Sequence, residues 1–148
     1  MSVRLQNQAF DPGAETNAFL DRTGGGGAAV TFTGLVRSTP DHPVTAMTLE
    51  HYPALAQRQL EDLHEQAIKR FDLIDAEIIH RYGTLHPGDP IVQVMTLSKH
   101  RHAAFEAANF LMDTLKTNAP FWKKEEGPSG TKWVDARESD DDAAARWQ

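Results

Sequence analysis

Two stretches of this chain repeat apolar residues at intervals of three and four, and strand-like runs flank each of them. In the first, Ala56, Leu60, Leu63, Ala67 and Phe71 follow Pro53; in the second, Ala104, Phe105, Ala108, Met112 and Leu115 lie between Arg101 and Thr117. Such spacing gives a helix a single apolar stripe, which must be buried against another layer. Pro53 fits a first helical turn, so the first helix runs to about Phe71. Pro120 restricts the residue before it, so the second ends at or before Ala119.

The intervening runs supply the other layer. "AAVTFTGLVR", Ala28 to Arg37, is rich in β-branched and aromatic residues and follows the loop Gly24 to Gly27. "STPDHP" is a turn or loop, and "VTAMTLEHY", Val44 to Tyr52, alternates as a strand does. "AEIIHRYGTL" and "PIVQVMTLS" are joined by the turn sequence "HPGD", and "FWKKEE" and "TKWVDARE" flank "GPSG". The order is β-β-α-β-β-α-β-β, an α+β class. We expect one domain over residues 1–148, with 1–27 as an N-terminal segment and glycine-rich loop and 139–148 as a tail or short fraying helix. A chain of 148 residues can bury about 70% of the surface its unfolded form exposes, with no need of a metal or disulfide.

The sequence has no cysteine. Disulfides, thiolate metal sites and a cysteine nucleophile are excluded, so any sulfur chemistry uses sulfur brought from outside. No run approaches the roughly 18 apolar residues of a membrane span, and the first residues lack a signal-peptide core; a soluble, cytoplasmic protein is expected. A net charge of −6 argues against a general nucleic-acid binder.

Against that acidic balance, "LKTNAPFWKKEEG" sets three lysines around a Pro-Phe-Trp cluster. Lys116 follows Met112 by four residues and Ala108 by eight, which puts it at the edge of the apolar stripe. Spacing alone favours a cation that snorkels at the helix C-terminus, where the macrodipole welcomes it; a site lysine is the other reading. Lys123 and Lys124 point to opposite faces of a strand, and Phe121 shares the face of Lys123. Lys124 is expected to pair with a glutamate in water.

"SKHRHAAFEA" gathers Lys99, His100, Arg101 and His102 at a helix N-terminus. Unpaired N–H groups there suit a phosphate or carboxylate; a surface loop balanced by Glu106 fits equally. Metal ligation is disfavoured, because His100 and His102 do not share a helical face and no carboxylate has ligand spacing. Arg37 and Arg137, each near a strand end, suit bidentate anion contacts or plain surface ion pairs. No catalytic triad, P-loop or dinucleotide fingerprint is present, and no cofactor is expected.

Taken together, "VTFTGLVR", "MTLEHYP", "IIHRYGTLHPGD", "SKHRHAAFEA", "LKTNAPFWKKE" and "WVDARESD" resemble the large, catalytic subunits of molybdopterin synthase, in family order from about Ala28 onward. The resemblance implies an α/β-hammerhead fold with additional antiparallel β structure. It implies a sulfurtransferase that builds the molybdopterin dithiolene from cyclic pyranopterin monophosphate. The sulfur comes from the thiocarboxylated C-terminus of a small ubiquitin-like subunit, within a heterotetramer built on a homodimer of the large subunit. Carried onto this chain, it makes Lys116 and Lys123 catalytic. Arg37, His100, Arg101 and Arg137 become anion-binding residues, with Phe32 and Met112 as pocket walls and Arg137 reaching the site from the other protomer. Asn118 stands where relatives commonly carry a basic residue, and the loop from Arg37 to Val44 is variable in the family. Two rivals keep the fold and lose the chemistry: an adaptor holding a ubiquitin-like tail, and a module that binds a phosphate ligand without a partner.

Overall fold

The computed structural model describes residues 3–22, 24–118, 121–134 and 145–147. The chain order is β1 (Val3–Gln6), α1 (Pro12–Leu20), β2 (Ala28–Leu35), β3 (Ala46–His51), α2 (Pro53–Phe71), β4 (Asp75–Arg81), β5 (Gly83–Leu85), β6 (Pro90–Ser98), α3 (Arg101–Asn118), β7 (Phe121–Gly127) and β8 (Gly130–Val134). The strands form two four-stranded sheets, β1-β4-β6-β2 and β5-β3-β7-β8. Among the described residues only the β1–β4 pair is parallel.

In the first sheet the period of two sends alternate residues to different layers. Ile78, Val92 and Val94 face α2 and α3, where they meet Leu60, Leu63, Ala67, Ala107, Leu111 and Leu115. Ile79, Met95 and Leu97 face the other way, against Phe19 of α1. Each fully buried Leu or Ile contributes about 1.5–3 kcal/mol relative to exposure, so the stripes of α2 and α3 hold the helices to the sheet. Phe105 is the exception in the α3 stripe; it is 57% exposed.

The second sheet has one apolar face, where Met47, Leu49 and Leu85 pack with Val36 and Val44. Its opposite face is polar and aromatic: Trp122 and Trp133 are exposed, and Lys124 stands 5.5 Å over the Trp133 ring, with no ion pair to a glutamate among the described residues.

Two expectations change. Residues 1–27 are more than a lead-in, because β1 and α1 lie within them. Asp11 caps α1 by accepting from the N–H groups of Gly13 and Ala14, with Pro12 in the first turn. The run read as one strand, "AEIIHRYGTL", is two strands in different sheets. The chain leaves the first sheet at Arg81, whose guanidinium donates to the Asn7 carbonyl, and enters the second at Gly83. Gly83 has φ +87°, and a Cβ there would lie 2.5 Å from the Asn7 Oδ1, so the switch requires glycine. At the other end Trp147 is docked: its ring meets Phe71 and Phe110 edge-on, and its Nε1 donates to Asp113 Oδ2 at 2.6 Å. No helix among the described residues is long and apolar enough to cross a membrane.

Candidate functional site

Helix α3 carries a basic cleft at each end. The one at its C-terminus, about 580 Å³, is bounded by Phe32 to Ser38, by the turn residues Pro87 and Gly88, and by Lys116. Among the described residues its lining holds two cations, Arg37 and Lys116, and no carboxylate. Clustered cations without a counter-charge raise the local concentration of anions.

Three segments converge to make it. Strand β2 alternates, so Val30, Phe32 and Gly34 share the face toward α3, where Val30 joins the core. Phe32 is left 42% exposed as a wall. A Cβ on Gly34 would come within 2.8 Å of Val92 Cγ1 and 3.4 Å of the Phe32 ring, so glycine leaves the floor open. An isolated glycine in a β-branched run signals such a close approach. After β2, the N–H of Val36 donates to the Asp89 carbonyl at 3.0 Å and the Gly88 N–H to the Val36 carbonyl at 2.8 Å. These bonds fasten Arg37 beside the 86–89 turn.

The loop beyond Arg37 is tied down as well. The Val44 N–H donates to Ser38 Oγ at 2.8 Å, and His42 Nε2 lies 2.8 Å from Glu125 Oε1. Lys116 projects from the last turn of α3, one residue past buried Leu115. It is exposed, as a snorkelling cation would be, yet it borders the cleft. Met112, a turn earlier, packs on the core of the first sheet and is not in this lining.

The second cleft, about 590 Å³, lies at the N-terminus of α3 and is lined by Gly27, Ala28, Lys99, His100, Arg101, His102 and Phe105. Its approach is pinned by Ser98, whose hydroxyl donates to the His100 carbonyl. Fifteen residues of helix separate Arg101 from Lys116, about 22 Å at 1.5 Å per residue. One chain therefore does not gather His100, Arg101, Arg37 and Lys116 into one pocket. Lys123 is half-buried on the inner face of the second sheet, paired across strands with Leu49 and Val134, and Lys124 is on the outer face, as alternation requires. Lys123 is not in the lining of the Lys116 cleft. Arg137 lies outside the described residues.

Behind Lys116 is a buried imidazole. His80 is 8% exposed, and its Nδ1 lies 2.7 Å from the Arg81 carbonyl, so Nδ1 carries the proton. Burial pushes its pKa down to about 4; the bond to Arg81 opposes the shift, while His51 and Lys116 add to it. Burial also lowers the pKa of His51, against the pull of Glu50. No group of three or more His, Asp or Glu residues among those described is placed to hold a metal.

Residues 5–118 match the MoaE protein family. A molybdopterin synthase catalytic subunit from Pseudomonas aeruginosa is 50% identical over 149 positions, covering 100% of this chain and 99% of the relative. A molybdopterin biosynthesis MoaE protein from Burkholderia ambifaria superposes with a TM-score of 0.83 at 48% identity, covering 99% and 97% of the two chains. At 23% identity the likeness is one of fold: a protein-protein complex of subunits 1 and 2 of molybdopterin-converting factor from Helicobacter pylori gives a TM-score of 0.76 over 93% and 92%. With a family match over most of its length and an end-to-end relative at half identity, the chain belongs to the MoaE protein family.

Proposed function

We propose that this chain is the catalytic subunit of a molybdopterin synthase. It moves sulfur from the thiocarboxylated C-terminus of a small ubiquitin-like subunit onto cyclic pyranopterin monophosphate. The observation that carries this reading is the cleft at the end of α3, where Lys116 and Arg37 meet an aromatic wall and no carboxylate of the described residues enters the lining. Both reactants are anions, and such a cleft favours their joint binding and the charge that develops as the sulfur attacks.

Arg37 holds the phosphate or the partner's tail through its planar fork of donors. Attack by the thiocarboxylate sulfur on the pterin side chain expels oxygen and leaves the sulfur as a thioester to the partner's tail. Water then cleaves the thioester to release the carboxylate, and Lys116 makes the proton transfers these steps need. Lys123, on the inner face of β7 and outside the cleft lining, is assigned as the second lysine of the site on the family resemblance. A lysine so close to an activated carboxyl can also form an amide with it, off the productive path.

The remaining anion-binding residues come from a second copy. Strand β2 is an edge strand of its sheet; its Ala28 end borders the N-terminal cleft and its Phe32 to Leu35 end the C-terminal one. A twofold dimer with the β2 edges side by side and antiparallel sets each cleft of one copy against the other cleft of its partner. His100 and Arg101 then complete the site that holds Lys116, and Arg137 belongs to the same exchange. The small subunit's tail enters this composite site, in keeping with the two-subunit complex in the Helicobacter pylori structure.

Reconstitution tests the assignment. Lys116→Ala should keep its circular dichroism and its binding to the thiocarboxylated small subunit, yet lose dithiolene formation by at least about 100-fold. Near-normal turnover would remove Lys116 from the chemistry. Binding without turnover in the unmodified protein would identify an adaptor instead.

A further inference from the structure

No strand of one sheet packs broadly on a strand of the other among the described residues. Where the sheets meet, rings from both stack. His80 of β4 lies flat on Phe121 of β7, with centroids 4.1 Å apart and planes 8° from parallel. His51 of β3, the cross-strand partner of Phe121, lies 6.0 Å and 26° from it, and Tyr82 follows at 4.2 Å from His51. Phe121 also packs against the core cluster that contains Leu115, the residue before Lys116.

The two lysines therefore stand on different supports. Lys116 ends a helix fastened to the first sheet, while Lys123 sits two residues after Phe121 on a strand of the second. The first sheet offers Phe121 the flat imidazole of His80, whose plane is fixed by the bond from Nδ1 to the Arg81 carbonyl. A ring with a single outward bond and near-parallel stacking is a locating surface: it admits the strand at one distance and one tilt.

We propose that His80 is a positioning residue, the seat that sets Phe121, and with it β7 and Lys123, against the Lys116 end of α3. The role belongs to the ring face and not to a nitrogen that exchanges protons with substrate. A neutral imidazole suits it, since an imidazolium would repel the nearby ammonium of Lys116, and burial keeps this imidazole neutral. The inference rests on the function proposed above.

The test uses the complete reconstituted synthase with His80→Ala, His80→Phe and Lys116→Ala. Removing the ring should lower kcat by at least about 10-fold, the effect of a displaced reacting group. The KM for the precursor should stay within about 3-fold, because Arg37 and the cleft walls belong to other segments. His80→Phe restores a flat ring without a nitrogen and should recover kcat to within about 3-fold of the unmodified enzyme. His80→Phe as impaired as His80→Ala, or a wild-type kcat in His80→Ala, would overturn the proposal. If His80→Ala does not fold, Phe121→Leu removes the ring from the other side at similar volume, with the same expected split; a wild-type kcat there overturns it equally. Lys116→Ala separates the two levels. Loss of turnover in Lys116→Ala but not in the ring variants sinks the positioning role alone, whereas full turnover in Lys116→Ala sinks the proposed function and this role with it.

Discussion

The two clefts of α3 are alike in charge and unlike in construction. The N-terminal cleft draws its cations, Lys99 and Arg101, from one short segment that opens a helix, where N–H groups lack intrahelical partners. The dipole there adds to the side chains, which suits holding an anion still. The C-terminal cleft is assembled from β2, the loop that follows it, the 86–89 turn and Lys116. Its ammonium sits at the carbonyl end of the helix, where a cation is at ease, and it faces an aromatic wall. In the function proposed above one cleft binds and the other reacts, and about 22 Å of helix keeps them apart in a single chain.

Acid should affect them unequally, because the Lys116 end stands by the His80 joint. His80 titrates near 6.5 in an unfolded chain and near 4 in the fold, so between those values the unfolded chain binds more protons. Stability therefore rises with pH across that window. It is fully present above about 6.5 and is lost as the pH falls toward 4, by on the order of 3 kcal/mol. Urea unfolding at a series of pH values should show this slope in the unmodified protein and not in His80→Phe. The same slope in both would place the acid sensitivity elsewhere.

A smaller effect compares the arginines. Arg37→Ala and Arg101→Ala should each raise the KM for the precursor by about 10-fold, roughly 1.4 kcal/mol, even though Arg101 is remote from Lys116 in its own chain. Steady-state kinetics would detect it. An Arg101→Ala enzyme with an unchanged KM would make the N-terminal cleft a bystander.

What the sequence discloses divides along the same line. Helices α2 and α3 are legible because apolar residues at spacings of three and four are a local pattern that the first sheet then rewards, although the stripe read for α3 takes in exposed Phe105 and misses buried Ala107 and Leu111. Strand β1 is not, since four residues gain their meaning from a parallel partner some seventy-five positions away. Helix α1 buries only Phe19 and shows no stripe, although Asp11 and Pro12 mark its start. The split between β4 and β5 hides inside an apolar run, and Gly83 is its one outward sign. In the same way the cluster from Lys99 to His102 can be seen in four letters. The convergence of Gly34, Ser38, Gly88 and Lys116 depends on sheet register and a turn, and no spacing rule contains it. The His80–Phe121 stack joins residues forty-one positions apart.

In the dimer proposed above, a working site takes Lys116 from one copy and the His100–Arg101 pair from the other. The most direct test is complementation in purified, differently tagged heterodimers that pair a Lys116→Ala protomer with a His100→Ala/Arg101→Ala protomer, assayed below KM with the thiocarboxylated small subunit. Sharing across the dimer leaves one site with every defect and one with none, so turnover should recover to about half of the unmodified dimer, far above either homodimer. If each chain instead supplies its own set, both sites stay broken. Turnover no higher than that of the homodimeric variants would contradict the account.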